Sequence, residues 1–328
     1  MRSQGNDEIL TLPRLDCFLC GASGRDLYQG LNDKIFGAPG QWGFLKCADP
    51  DCGLVWLYPT PSMADLGKAY KSYYTHQVQE MRKGTTPWRG LRWAHDTLWR
   101  LTRVHHQRAR LSFMYLHDTT PGRLLDIGCG DGSRLARMRT LGWRVEGQEV
   151  DPQVAAVAGI DHEIPVHLGA LNDINFPSST FDAITMNHVI EHVFDPLDVL
   201  KECHRILRPG GVLVAVTPNV ESYGHTLFGR WWRGLEPPRH LHLFSQATMH
   251  RLALRAGFSL CDVWTTAAHA EVIASGSFEV RAAGARKEEA RVTQVNRRLM
   301  SIAFQLWAQL VYLTDRNSGE ECVMKVTK

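Results

Sequence analysis

No stretch of this 328-residue chain is apolar for the ~18 residues that a bilayer-spanning helix needs. The nearest candidate, 302–313, is too short and is interrupted by Gln305 and Gln309. Residues 1–16 are polar, with no apolar segment behind a basic start, so no secretory leader is expected. An excess of one charge is missing too. The 37 Lys and Arg face 34 Asp and Glu, a net +3, which argues against nucleic acid or another polyanion as the partner. With 44% apolar and 22% charged residues, disordered, collagen-like and membrane-filling classes are excluded. The expectation is a cytoplasmic, globular chain of about two domains. In that compartment the eight cysteines are not read as a disulfide framework.

Four of those cysteines precede residue 53. Cys17 and Cys20 form a Cys-x-x-Cys, Cys47 and Cys52 a Cys-x4-Cys, and a glycine follows each pair. Two such knuckles supply the four thiolates of a tetrahedral zinc site with no position left for water, hence a structural one. About sixty residues bury too little apolar surface to fold unaided, which makes a metal staple physically reasonable. Ordinary thiols or a redox pair are the alternatives. Residues 1–60 are therefore read as a zinc ribbon, ended by Tyr58-Pro-Thr-Pro61.

Residues 61–120 read as a helical lid or linker. Ser62 is placed to cap a helix carrying Leu66 and Tyr70. Residues 82–110 hold eight Lys or Arg and one acid, Asp96, and Trp88, Trp93 and Trp99 alternate with arginines. Such a stretch over 88–117 fits peripheral contact with an anionic membrane, a lid over an anionic substrate, nucleic-acid binding, or a helix packed on the next domain.

Residues 123–135 run from an apolar strand into Asp126-x-Gly128-x-Gly130-x-Gly132 and then a helix. The glycines permit a sharp turn and close backbone approach to a ligand. A dinucleotide fingerprint needs glycine at 133, where Ser133 stands. Asp126 suits the ammonium group of S-adenosylmethionine, reached directly or through water. A second strand ends at Glu149, placed to accept both hydroxyls of a ribose. Asp151-Pro152 reads as a helix cap. The segment through Ala170 and Leu171 suits the flank of an adenine. Further strands are expected at 181–186 and 212–216, the latter after a turn at 207–211. Alternation of strand and helix predicts a mostly parallel sheet covered on both faces.

On these residues the chain resembles the class I S-adenosylmethionine-dependent methyltransferases over roughly 121–328. Leu-Leu-Asp-Ile-Gly-Cys-Gly-Asp-Gly, Gly-Gln-Glu-Val-Asp-Pro, Ser-Thr-Phe-Asp-Ala-Ile, Val-Ile-Glu-His-Val-Phe-Asp-Pro and Arg-Ile-Leu-Arg-Pro-Gly-Gly carry the resemblance, in that order. The cysteine knuckles and Pro237-Pro-Arg-His-Leu-His-Leu-Phe-Ser245 are similar to a bacterial subgroup with an N-terminal zinc ribbon, associated with sugars and surface glycans. The resemblance implies an α/β fold: a Rossmann-like seven-stranded sheet with helices on both faces, its last strand near 320–327. Residues 268–318 would be a helical insertion.

Residues after the fourth strand lie beside the transferred methyl in that fold: Asn187, His188, Glu191 and His192. The last three have i, i+3, i+4 spacing and are expected to share one helical face, where one can act as a base. Ubiquinone-pathway O-methyltransferases carry a carboxylate where His188 stands. Substrate contacts are expected from Tyr223, Trp232, Arg239 and His240, with His225, Arg230, Trp231, Arg233 and His242 on the same loop. Aromatic rings beside Arg and His suit a sugar or other ring with a phosphate or carboxylate handle. Three function classes follow: methylation of a hydroxyl on a sugar, glycan precursor or related small metabolite; methylation of RNA or protein; or a non-catalytic binding module of the same fold.

Overall fold

A computed structural model of the chain describes residues 8–70, 103–283 and 289–328. Most of the stretch assigned to a lid or linker, and half of the 88–117 membrane-contact candidate, lies outside the described residues. The strands, in chain order, are β1 (Thr11–Leu12), β2 (Gly24–Leu31), β3 (Trp42–Cys47), β4 (Val55–Tyr58), β5 (Thr60–Pro61), β6 (Arg123–Ile127), β7 (Arg144–Glu149), β8 (Val166–Leu168), β9 (Phe181–Asn187), β10 (Leu207–Pro218), β11 (His242–Leu243), β12 (Leu260–Thr266) and β13 (Glu321–Thr327). Two compact units emerge. The first takes the described residues of Tyr74–Thr217, Met249–Ala268 and Val323–Lys328, and the second those of Met1–Tyr73, Pro218–Thr248 and His269–Cys322.

Seven strands form one sheet in the order β12-β13-β10-β9-β6-β7-β8. The pairs β10/β9, β9/β6, β6/β7 and β7/β8 are parallel. Parallel strands are buried on both faces, and β6 shows it, with Leu124 to Ile127 all buried. Helices Ser133–Thr140, Pro152–His162, Leu171–Ile174 and Pro196–Ile206 connect the strands. Asp151 and Asp195 cap two of them, each accepting from backbone amides ahead of a first-turn proline. Leu124, Ala183, Val214, Val216 and Val323 meet Met114, Tyr115 and Leu116 in the core. Helix Arg103–Ser112, the described end of the basic stretch, adds Leu111 to this core, buries Val104 and donates from Arg108 Nε to the Ala268 carbonyl at 2.8 Å. The turn expected at 207–211 is instead part of β10, as an irregularity in register between Leu207 and Val212.

The second unit holds an antiparallel sheet in the order β11-β4-β3-β2, and the pair β1-β5. Strand β11 comes from the far half of the chain, with His242 opposite Trp56 and Leu243 opposite Val55. The first sixty residues thus share their sheet with the segment predicted to face substrate. Among the described residues Ser62 caps no α-helix: its carbonyl receives the Asp65 and Leu66 amides, and a 3-10 turn, Leu66–Tyr70, follows. Helices Ala270–Ala282 and Glu289–Thr314 fill the expected insertion, the Glu271 amide donating to Gln305 Oε1 at 3.0 Å.

Candidate active site

The glycine loop leaves β6 with Gly128, Gly130 and Gly132 all left-handed, at φ +63°, +57° and +74°. At Gly128 an added Cβ would lie 2.6 Å from Val189 Cγ2, and at Gly132 2.9 Å from Ala158 Cβ. At Gly130 it would meet nothing within 4 Å. So the first and third glycines admit close packing, while the middle one faces open space.

Beneath the loop, Asp126 is 2% exposed and accepts from Thr185 Oγ1 at 2.6 Å. Burial pushes the Asp126 carboxyl up, and Glu149 adds to this against Arg134 and Thr185. Glu149 Oε2 accepts from the Gly130 amide at 3.1 Å, and its Oε1 from the amides of Val150 and Asp151. Gln148 bridges two loops: Oε1 receives the Gly128 amide at 3.3 Å and Nε2 donates to the Gly169 carbonyl at 2.5 Å. Ala170 caps helix Leu171–Ile174, and Leu171 is buried. Sequence reasoning passed over Thr185 and Gln148. Thr185 had a signal, a polar side chain within the apolar run 183–186 of β9, whereas Gln148 had none in the polar sequence of β7. Cys129 turns away from the loop's open side: a Cβ on Gly147 would touch its Sγ at 2.5 Å, and burial pushes the thiol up to about 12.

Asn187 ends β9, paired with Val216 on β10. The following residues correct the expected helical face, because 188–192 form a turn. His188 is left-handed at φ +54°, its amide on the Val216 carbonyl at 2.8 Å, and the His192 amide closes the turn on Val189 at 2.9 Å. The turn still brings His188 and Glu191 together. Glu191 is fully buried, with Oε1 3.1 Å from His188 Nδ1 and Oε2 accepting from Thr217 Oγ1 at 3.0 Å. Val189, between them, is the residue packed on Gly128, so this turn sits against the glycine loop.

In the second unit the four N-terminal cysteines converge. Cys17 and Cys52 sulfurs are 3.6 Å apart, Cys20 and Cys47 3.3 Å, and all four lie within 4.8 Å of one another. Zinc–sulfur bonds of ~2.3 Å would place tetrahedral sulfurs about 3.8 Å apart, so the donor set fits such an ion. The Gly21 amide donates to Cys17 and the Gly53 amide to Asp49, each glycine left-handed, which closes both knuckles. Burial pushes the Cys17 thiol up and that of Cys47 to about 11. At Cys20 burial acts the same way, but the Ala22 amide and the neighbouring thiols outweigh it and lower the value.

The substrate candidates all fall in the second unit. Tyr223 stacks on Phe304 at 5.7 Å, and Trp232 is buried with His225 stacked on it at 4.6 Å. Arg239 lies in the core of this unit. Its buried guanidinium is already engaged by Asp33 at 2.8 Å, Glu236 at 3.1 Å and the Ala69 carbonyl at 2.8 Å. His240 is likewise committed, with Nδ1 2.7 Å from the Gly234 carbonyl.

A family model described as a methyltransferase domain matches residues 97–263, more than half of the chain. The chain belongs to this methyltransferase family. The matched domain has a Rossmann-like fold, a mostly parallel sheet flanked by helices. This methyltransferase is 34% identical over 131 residues to a ubiquinone biosynthesis O-methyltransferase of Cereibacter sphaeroides, covering 38% of the chain and 53% of the relative. It is 32% identical over 117 residues to the protein of that name in Xanthomonas campestris, covering 34% and 49%. The chain thus spans about half the length of the curated relatives it matches. A solved S-adenosylmethionine-dependent methyltransferase of Thermotoga maritima is similar at 20% identity and a TM-score of 0.45, over 72% of this chain and 95% of that one.

Proposed function

We propose that this methyltransferase methylates a hydroxyl of a sugar, glycan precursor or related small metabolite, with His188 as the base that takes the hydroxyl proton. The observation that carries the proposal is the buried Glu191 held between His188 and Thr217, in a turn packed on the glycine loop. Glu191 Oε1 is placed to accept from Nδ1–H of His188. The neutral ring then carries its lone pair on Nε2, the arrangement a general base needs. S-adenosylmethionine, when bound, supplies a methyl made electrophilic by its sulfonium. Gly128, Gly130 and Gly132 would let the backbone approach it, Glu149 would take its ribose hydroxyls, and Ala170, Leu171 and Asn187 would flank it. Asp126, buried under the loop, would act on it by electrostatics and by fixing the loop through Thr185. Alignment of nucleophile, methyl and leaving sulfur then does most of the catalytic work. His192 closes the turn that presents the base. Cys17, Cys20, Cys47 and Cys52 would hold one structural zinc.

The relatives' name, O-methyltransferase, supports the hydroxyl reading. The test is calorimetric titration of the full, zinc-quantified chain with S-adenosylmethionine, beside Asp126→Ala and Glu149→Ala. Micromolar binding is expected, weakened about tenfold or more in each variant. A folded wild type that binds none of it overturns the proposal. Methyl transfer to a panel of hydroxylated acceptors, lost in His188→Gln with donor affinity kept, tests the base.

A further inference from the structure

A cavity of about 310 Å³ lies within the second unit, between the loop at Gly30–Phe36, the loop at Arg230–Arg239 and Val280 of helix Ala270–Ala282. None of its residues belongs to the proposed donor set. Its walls are built before any ligand arrives. Asp33 accepts the amides of Ile35, Phe36 and Ala38, which fixes the first loop, and the same carboxylate takes Arg239 of the second. Glu236, left-handed at φ +34°, is gripped by Arg233 and Arg239. Phe36 lies under both guanidinium groups, at 5.7 and 4.6 Å.

The lining is not electrically balanced. Lys34, Arg230, Arg233 and Arg239 face Asp33 and Glu236 alone, a net +2. Arg233 and Arg239 are spent on the two acids. Arg230 instead rests on the carbonyls of Gln29 and Gly30, at 3.1 and 3.4 Å, and forms no ion pair among the described residues. Lys34 is exposed and likewise forms none there. Trp231 adds an aromatic wall and Val280 an aliphatic one. The volume is at the small end of small-molecule sites, room for one ring with one substituent. A guanidinium resting on neutral carbonyls can turn to a phosphate with two parallel hydrogen bonds, without first breaking an ion pair.

We infer that this cavity binds a phosphorylated sugar-sized ring, its phosphate toward Arg230 and Lys34 and its ring against Trp231. The link from this site to methyl transfer rests on the reading above, and the two are separable by experiment. The full, zinc-loaded chain is titrated at low ionic strength with glucose 1-phosphate, glucose and inorganic phosphate, and in parallel with S-adenosylmethionine. Glucose 1-phosphate is expected to bind about tenfold or more tighter than either glucose or phosphate. Arg230→Gln, which releases only two backbone carbonyls, should weaken it about tenfold, and Val280→Trp, which fills the cavity, should abolish it. Both variants should bind S-adenosylmethionine as the wild type does, which also shows that they fold. Absence of glucose 1-phosphate binding at millimolar concentration, equal binding of glucose or phosphate, or affinity unchanged in both variants overturns the assignment. Sugar-phosphate binding without S-adenosylmethionine binding would leave the cavity standing and overturn the methyl-transfer reading instead.

Discussion

Glu191 is a carboxylate with no exposed surface, and it satisfies two donors from two strand ends. Removing such an acceptor leaves the buried donors unpaired, which costs more than the hydrogen bonds themselves contribute. Glu191→Leu should therefore lose about 1–3 kcal/mol of stability by denaturant titration. Glu191→Gln retains one acceptor oxygen and should lose less. If Glu191 positions the base, Glu191→Gln also lowers kcat on an identified acceptor while the affinity for S-adenosylmethionine stays put. A merely structural residue would not split the two. At the same scale, the spacing of His188, Glu191 and His192 fitted a helix and a tight turn equally well. The left-handed φ of His188 decided between them, and residue spacing carries no trace of that angle.

Among elements, the two cysteine knuckles depend most on something outside the polypeptide. Their buried thiols resist ionisation, and a metal ion would replace those protons. Cys47→Ser, or a strong chelator, should remove about one equivalent of zinc per chain and lower the melting temperature, read by metal analysis and calorimetry. A chain carrying no zinc when purified without chelator would contradict the assignment. The knuckles were legible because each is a short local pattern, as was the glycine loop with its acid and capped helices. Strand β11 was not legible. Two residues, His242–Leu243, have no periodicity to read, and their partner Val55–Trp56 is distant in sequence. The partner of Arg239 was not legible for a related reason: arginine beside aromatics looks the same in sequence whether or not a buried Asp33 engages it.

At the scale of the whole molecule, pH acts through Glu320. It is fully buried, its Oε1 accepting the Gly224 amide at 2.8 Å, and burial pushes its carboxyl up to about 8 from an ordinary 4.5. Below pH 4.5 folded and unfolded chains both hold this proton, so the contribution is fully present and flat. As pH rises toward 8 only the folded chain keeps the proton, and stability declines until the folded carboxyl ionises as well. Glu320→Gln should remove this part of the decline. The melting temperature above pH 8 should rise by a few degrees over the wild type, with little change at the acid end, as read by scanning calorimetry across pH. An unchanged pH profile would show that Glu320 is ionised in the folded chain.

The pairing of β11 with β4 also sets a timetable. A ribosome makes β4 early and β11 only after the glycine loop and most of the parallel sheet. At roughly 5–20 residues per second the open side of β4 waits on the order of tens of seconds for its neighbour. During that interval the nascent N-terminus presents an unpaired strand edge, which invites association between growing chains. Metal captured early by the knuckles would order that segment while its last strand is still unmade.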